Sequence, residues 1–252
     1  MKILSSLTAA CLVLLSVITM LLFSCSTPKK TDEAASDEAG TTPGEWITLF
    51  NGVNLDGWKR YGADHIGPLW RVENGEIVCS SEGGGEALPG TGGSLITVEQ
   101  FDNFELELEW KISPGGNSGI LYHVVEDTAY QREYETGPEF QLIDDESYGT
   151  GITELQKTGA NYDMYAASQD KKVNPPGEWN SARVVYDRGR VEHWLNGARV
   201  LEFTEGSDDW KTRYNESKWV DYPGWCKYKL GAIALQDHGH YIWFRNIRIR
   251  KL

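Results

Sequence analysis

Cysteine is scarce in this 252-residue chain: there are four, at positions 11, 25, 79 and 226, and none shows the paired spacing of a zinc site. Basic residues are also outnumbered, with 24 Lys and Arg against 37 Asp and Glu and a formal net charge of −13. No basic stripe gathers the cations that are present, which excludes nucleic acid as a partner; a neutral ligand or a cation suits the chain better. Helical periodicity is thin, no repeat of fixed period is visible, and no second linker divides the folded part.

One long apolar run exists, and it opens the chain. "MKILSSLTAACLVLLSVITMLLFSC" has a single Lys, no acidic residue, and a Leu22-Phe23-Ser24-Cys25 ending. Residues 1–24 are read as a lipoprotein signal peptide rather than a spanning helix, with Cys25 as the lipidated residue. The expected location is therefore exported and lipid-anchored, in the periplasm or outer membrane of a Gram-negative bacterium, with Ser26 arguing weakly against retention at the inner membrane. Residues 25–44 are small, charged, Pro and Gly residues with nothing to bury, a flexible tether leading to a folded domain over 45–252. Loss of residues 1–24 removes one basic residue, Lys2, and no acidic one, which takes the net charge from −13 to −14. Of the cysteines that remain, Cys79 and Cys226 are open to a disulfide in an exported protein, and nothing in their spacing requires one.

The folded part alternates as strands do. "FELELEWKI" puts Phe104, Leu106, Leu108 and Trp110 on one face and Glu105, Glu107 and Glu109 on the other, the latter read as a polar face rather than a catalytic triple. Asn74-Gly75, the residues Asp187 to Gly189, and Asn196-Gly197 mark hairpin tips. "SDDWKTRYNESKW" is the best helix candidate, with Ser207 as N-cap and Asp208 and Asp209 in the first turn, a short rim helix. Many strands, much Gly and aromatic content and almost no helix predict an all-β sandwich or jelly roll.

Ten Trp and twelve Tyr are a heavy aromatic load. Most must be core, but Tyr122, Tyr162, Tyr165, Trp179 and Trp225 stand in polar, Gly-rich contexts of the kind where rings stack on sugars. In "GPEFQLIDDES" Glu139 and Gln141 share one strand face while Phe140 and Leu142 share the other, so a carboxylate and an amide point the same way. In "SPGGNSGILYHV" Asn117 supplies a short polar group at a strand start, and His123 falls on the face of Gly119 and Leu121. "KTGANYDMY" offers Lys157, Tyr162 and Asp163, and "VEHWLNG" offers His193, with an exposed-face filler as its bland alternative. In "IALQDHGHYIWFRNIRI" alternation sends Gln236 and His238 to the face of small Ala234, leaves Asp237 to orient a neighbour from the loop, and makes His240 a surface turn residue. A β-bulge is expected near Arg245-Asn246. The acid signature of laminarinase-type glucanases, with acidic residues at every second position of one strand, fails at Gln141, and with it the two-carboxylate retaining mechanism.

The collinear set "ITLFNGVNLDGW", "GGSLITVEQFDNFELELEWKI", "GGNSGILYHV", "GPEFQLIDD", "TGANYDMY", "GEWNSARVVYDRGRVEHWLNG" and "IALQDHGHYIWFRNIRI" resembles the 3-keto-disaccharide hydrolase family, long catalogued as a domain of unknown function. One departure is His123, where the family pattern often has Arg. The resemblance implies a concanavalin A-like jelly roll of two antiparallel sheets and action on di- or oligosaccharides or glycosides already oxidised at C3. In such sugars the ketone acidifies the C2 proton, so one base starts an elimination that expels the C1 substituent. Glu139 and His238 are the bases expected; Asn117, Gln141, Lys157 and Gln236 would orient or stabilise oxygens, and Tyr162 or Asp163 would manage the second proton. A divalent metal would serve the enolate equally well, with His238, Asp237, Glu139 and His193 as conceivable ligands, although no spacing motif demonstrates it. The alternative is a surface-tethered, non-catalytic carbohydrate-binding lipoprotein on the same fold.

Overall fold

The computed structural model describes residues 44–80 and 93–252. The signal peptide, Cys25 and the tether up to residue 43 lie outside the described residues. The strands are β1 (Ile47–Thr48), β2 (Trp58–Arg60), β3 (Trp70–Glu73), β4 (Glu76–Ser80), β5 (Leu95–Thr97), β6 (Phe104–Ile112) and β7 (Asn117–Val124), followed by β8 (Glu139–Ile143), β9 (Asn180–Asp187), β10 (Arg190–Leu195), β11 (Ala198–Thr204), β12 (Ala232–Leu235) and β13 (Tyr241–Lys251). Among the described residues one α-helix, α1 (Asp208–Glu216), starts where expected: the Ser207 hydroxyl accepts a bond from the Trp210 amide at 3.2 Å.

Two antiparallel sheets result, the jelly-roll sandwich that the alternation predicts. The larger runs β11-β10-β9-β6-β13-β4-β3 with β1 also paired to β13, and the smaller runs β2-β5-β12-β7-β8. Three hairpin tips of the larger sheet place both turn residues at positive φ: Asn74-Gly75, Arg188-Gly189 and Asn196-Gly197. This twist matches that of the flanking strands. The bulge expected near Arg245-Asn246 is present, with Asn246 at φ 53° and a register shift against β6 between Arg245 and Arg248. It restores Ile247 and Ile249 to the interior after Ile242 and Phe244.

The main core lies between the sheets. Phe104, Leu106, Leu108 and Trp110 of β6 meet Ile120 and Tyr122 of β7 and Phe140 and Leu142 of β8 there, all essentially buried. The opposite face of β6 is a charge ladder across the β6–β13 pair. Arg245 bonds Glu109 at 2.6 Å, Arg248 bonds Glu107 at 2.5 Å, and Arg250 and Arg183 both hold Glu105. The three glutamates are thus spent on cross-strand pairing, as their polar-face reading anticipated. Cys79 and Cys226 form no disulfide.

Two expected site histidines belong to this interior. His193 on β10 is fully buried, with Nδ1 against the Gly159 carbonyl at 3.0 Å and Nε2 3.4 Å from the Tyr122 hydroxyl, its ring 4.6 Å from that of Phe140. Neither of its expected positions, a ligand contact or an exposed filler, is where the structure puts it; β10 turns that face toward the core. His123 leaves the face of Leu121 because its backbone is left-handed (φ 55°) at an irregularity in the β7–β12 pairing. Its Nε2 faces the Asp102 carbonyl at 2.8 Å and its ring packs 4.3 Å from Tyr186. Tyr122, another expected sugar contact, is likewise inside and has no exposed surface.

Burial drives the His193 pKa down to about 4, well below its ordinary 6.5. The unfolded chain therefore takes up this proton as pH drops through about 6.5, while the folded chain resists until about 4. Stability contributed by the neutral ring is complete above pH 6.5 and is lost progressively below it, by ~3 kcal/mol once both states are protonated. Urea unfolding of wild type and His193→Gln at pH 7 and pH 4 tests this: the wild-type midpoint should fall further between those values than the variant's.

Candidate active site

The smaller sheet has a second face, turned away from the core. The β7–β8 register pairs Gly119 with Gln141 and Leu121 with Glu139, and Ala234 of β12 pairs with Leu121 on the other side. Residues of one register pair share a face, so Gly119, Leu121, Glu139, Gln141 and Ala234 are neighbours on this surface. Leu121, Ala234, Ala232, Val124 and Ile96 form a small apolar cluster of their own, separate from the main core. Polar groups gather at one end of it, where the chain leaves β12: Gln236 follows directly, its amide bonded to the Gly119 carbonyl at 2.9 Å.

There a pocket of about 210 Å³ opens, lined by Asn117, Glu139, Gln141, Gln236 and His238 from the sheet side and by Tyr134, Tyr162, Lys218, Trp219 and Tyr222 from loops above it. Glu139 is 5% exposed and Gln141 1%. The Glu139 carboxyl lies over Gly119: a Cβ added to that glycine would stand 2.7 Å from Cδ of Glu139, and closer still to Oε1. Gly119 is therefore needed for close approach rather than for a turn, since its φ is not in the left-handed region. The Gln141 amide nitrogen donates to Asn117 Oδ1 at 3.3 Å, while its Oε1 is buried without a hydrogen-bond partner among the described residues.

The walls are fastened to the sheet. The Tyr162 amide donates to the Glu139 carbonyl at 3.1 Å, and the Trp219 indole nitrogen donates to the Tyr162 carbonyl at 3.0 Å. Trp219 stacks on Trp225 with ring centres 4.7 Å apart. The Lys218 ammonium stands 4.3 Å from the Tyr162 ring centre and 4.7 Å from that of Trp219, held by Asp163 at 3.0 Å. Partial burial, helped by the charges of Asp163 and Glu139, pushes the Tyr162 hydroxyl up to about 12. Burial also lowers His238 below its ordinary 6.5, so its ring is neutral at pH 7. Its neighbours are His240 and Tyr148, with ring centres 5.9 and 6.2 Å away.

Six residues expected from sequence converge here: Asn117, Glu139, Gln141, Tyr162, Gln236 and His238. Asp163 acts one step back, behind Lys218. Asp237 points inward, where its carboxylate accepts the amides of Gly93 and Gly239 at 3.0 and 3.1 Å, so it shapes the turn. Lys157 lines a different cavity and pairs with Glu154. His240 is half-buried against His238 rather than a free surface residue. The sequence reading missed Tyr134, Lys218, Trp219 and Tyr222. Lys218 and Trp219 sit just past α1 in the segment read as a rim helix, where the signal available was a cation beside an indole in an otherwise polar stretch. Of the conceivable metal ligands, only Glu139 and His238 reach the pocket, and among the described residues no three His, Cys, Asp or Glu side chains are grouped to hold an ion.

A two-sheet jelly roll that carries buried amides, one carboxylate and an aromatic wall on the outer face of its smaller sheet has the features of a carbohydrate-directed protein. Residues 45–250 match the model of the 3-keto-alpha-glucoside-1,2-lyase-like domain, and the chain belongs to that family. A relative from Bacteroides thetaiotaomicron named 3-keto-disaccharide hydrolase is 36% identical over 229 residues, 82% of this chain and 78% of the relative. Two solved structures from Parabacteroides distasonis, both described as glycosyl-hydrolase candidates, are also similar. One is 42% identical with a TM-score of 0.75 over 83% of this chain and 94% of its own; the other is 29% identical with 0.63 over 82% and 100%.

Gly119→Ala tests the close approach beneath the carboxylate. The added methyl has no room unless Glu139 shifts, so the variant should fold with a stability loss of about 1–3 kcal/mol in chemical denaturation and with the Glu139 side chain displaced in its crystal structure. An unmoved carboxylate and unchanged stability would contradict the packing described.

Proposed function

We propose that this protein cleaves 3-keto-glycosides by removing the C2 proton and eliminating the C1 substituent, with water addition completing net hydrolysis where it follows. The observation that carries this reading is the single carboxylate, Glu139, buried over Gly119 among amides in a pocket of sugar-ring size. The family supports it, as does the name of the Bacteroides relative. A conventional retaining or inverting glycosidase uses two carboxyl groups flanking the bond. Glu139 is the only Asp or Glu among the residues lining this pocket.

In the proposed reaction Glu139 takes the C2 proton, and the electron pair moves into the C2–C3 bond to give an enediolate. Lys218 and the amide nitrogens of Asn117, Gln141 and Gln236 are the donors within the pocket that can stabilise its oxygen. Collapse of the enediolate re-forms the C3 carbonyl, creates the C1–C2 double bond and breaks the C1–O bond; the leaving oxygen takes a proton and departs as the alcohol. Tyr162, kept protonated by its raised pKa, and His238, neutral with one N–H, are the groups placed to handle that proton. Addition of water across C1–C2 would then yield the free 3-keto sugar.

Three comparisons test the proposal. Wild type should release alcohol from a methyl 3-keto-glucoside and not from methyl glucoside; cleavage of the unoxidised sugar would sink the mechanism, and tight binding without turnover of either would favour the non-catalytic carbohydrate-binding alternative. Glu139→Gln should lower kcat/KM at least about 100-fold with folding intact, and Lys218→Met about 100-fold. His238→Ala should lower kcat/KM at least about tenfold with folding intact, and full activity in that variant would remove His238 from the proton transfers.

We also propose that the mature protein is an exported lipoprotein, anchored through Cys25 and set off from the membrane by residues 26–44. The support is the sequence alone: an apolar run ending in Leu-Phe-Ser-Cys, followed by a polar tether. Cys25→Ser should abolish labelling by a radioactive fatty acid and release the domain to the soluble fraction; retention with unchanged labelling would refute the anchor.

A further inference from the structure

A larger cavity, of about 770 Å³, lies beside the candidate site and takes no part in the chemistry above; Trp110, Ile143, Asp144, Lys157, Gln169 and Asn174 are among its walls. The two spaces are adjacent in the β7–β8 ladder. Asn117, which lines the smaller pocket, is the register partner of Ile143, which lines the larger one. Paired Cα atoms in such a ladder are about 5 Å apart.

Most of the charge around this cavity is already neutralised. Asp144 accepts the amides of Gly115 and Ser147 at 2.8 and 3.1 Å. Asp145 accepts the Thr158 amide at 2.8 Å and the Lys171 ammonium at 2.9 Å, and Lys157 is paired with Glu154 at 2.5 Å. Among the described residues that line the cavity, Glu146 alone keeps a charge without such a partner, and it is exposed. An ionic ligand would have to break these pairs, whereas a neutral hydroxylated one can add to them.

Trp110 forms part of the cavity's floor and is 1% exposed. Its indole nitrogen has almost no accessible surface, so the residue lines the cavity through its other atoms. The remaining walls are amide and aliphatic: Gln169, Asn174, Val173 and Pro176. Amides for hydroxyls and apolar carbon for C–H faces suit a sugar ring.

From these observations we infer that the larger cavity is a second sugar-binding subsite, one that holds the neutral sugar released at C1 when the substrate is a disaccharide. The inference rests on the proposed reaction for the direction in which the substrate lies, but not for the existence of the subsite. It gives Lys157 a place at the wall of this subsite rather than beside the enediolate.

The test uses the full folded domain, with Gln169→Trp to fill the cavity from its exposed rim and Val173→Trp to fill it from a second wall. In steady-state assays the variants should raise KM for a 3-keto-disaccharide at least about tenfold more than KM for methyl 3-keto-glucoside, a difference carried in KM rather than kcat. Equal changes for both substrates in both variants would overturn the subsite. Calorimetric titration with the unoxidised disaccharide and with methyl glucoside separates this result from the fate of the proposed reaction. A preference of wild type for the disaccharide that Gln169→Trp abolishes supports the subsite even when no 3-keto sugar is turned over. Lack of any preference in wild type refutes it even when elimination is observed. Should Val173→Trp not fold, Gln169→Trp alone decides, since Gln169 is exposed and outside the core.

Discussion

The pairing of β7 with β8 is the constraint on which the rest of the site depends. An antiparallel ladder gives each strand two faces and fixes which residues share them. Here Phe140 and Leu142 must meet Ile120 and Tyr122 in the core, so Glu139 and Gln141 are committed to the other side, next to Gly119. A slip of one residue would bury the carboxylate in the sandwich and expose two large apolar side chains. The apolar energy of the core thus fixes the position of the carboxylate.

Rigidity of the pocket wall follows from the same strand. The Glu139 carbonyl receives the Tyr162 amide, the Tyr162 carbonyl receives the Trp219 indole, and Trp219 stacks on Trp225. The adjacent Cys226 amide returns to the Thr136 carbonyl, three residues before β8 begins. These contacts close a ring around the pocket that starts and ends at β8. Each backbone hydrogen bond contributes only about 1 kcal/mol on its own. Joined in a ring, they oppose any independent movement of the aromatic wall. Groups held this way are in place before a ligand arrives, which is the condition for electrostatic stabilisation without reorganisation.

Much of this was legible because alternation is a local property. The faces of Glu139 and Gln141, of Gln236 and His238, and of the three glutamates on β6 could all be read two residues at a time. His123 was misplaced because a left-handed residue at a pairing irregularity reverses the alternation, and no single residue type announces one; only the pairing with β12 displays it. His193 and Tyr122 carry polar atoms that satisfy each other in the interior, an arrangement that depends on strands from different sheets. Lys218, Trp219 and Tyr222 lie far from β8 in sequence, and what brings them over the pocket is a bond to a backbone carbonyl of Tyr162, which residue identity cannot reveal.

The site's chemical character follows from where its charges are tied. The glutamates of β6 are paired with arginines, Asp237 is held by backbone amides, and Asp163 is paired with Lys218. Glu139 is the carboxylate that lines the pocket, beside amides and a neutral histidine, with an ammonium at the rim. Protonating a glycosidic oxygen and stabilising an oxocarbenium ion would call for a second carboxyl group that the pocket walls do not supply. Drawing one proton from carbon and steadying the resulting oxyanion calls for one base and several donors, and those are present. The arrangement fits a substrate whose C–H bond is already acidified, so in the proposed reaction the oxidation at C3 has moved part of the catalytic burden from the protein to the sugar.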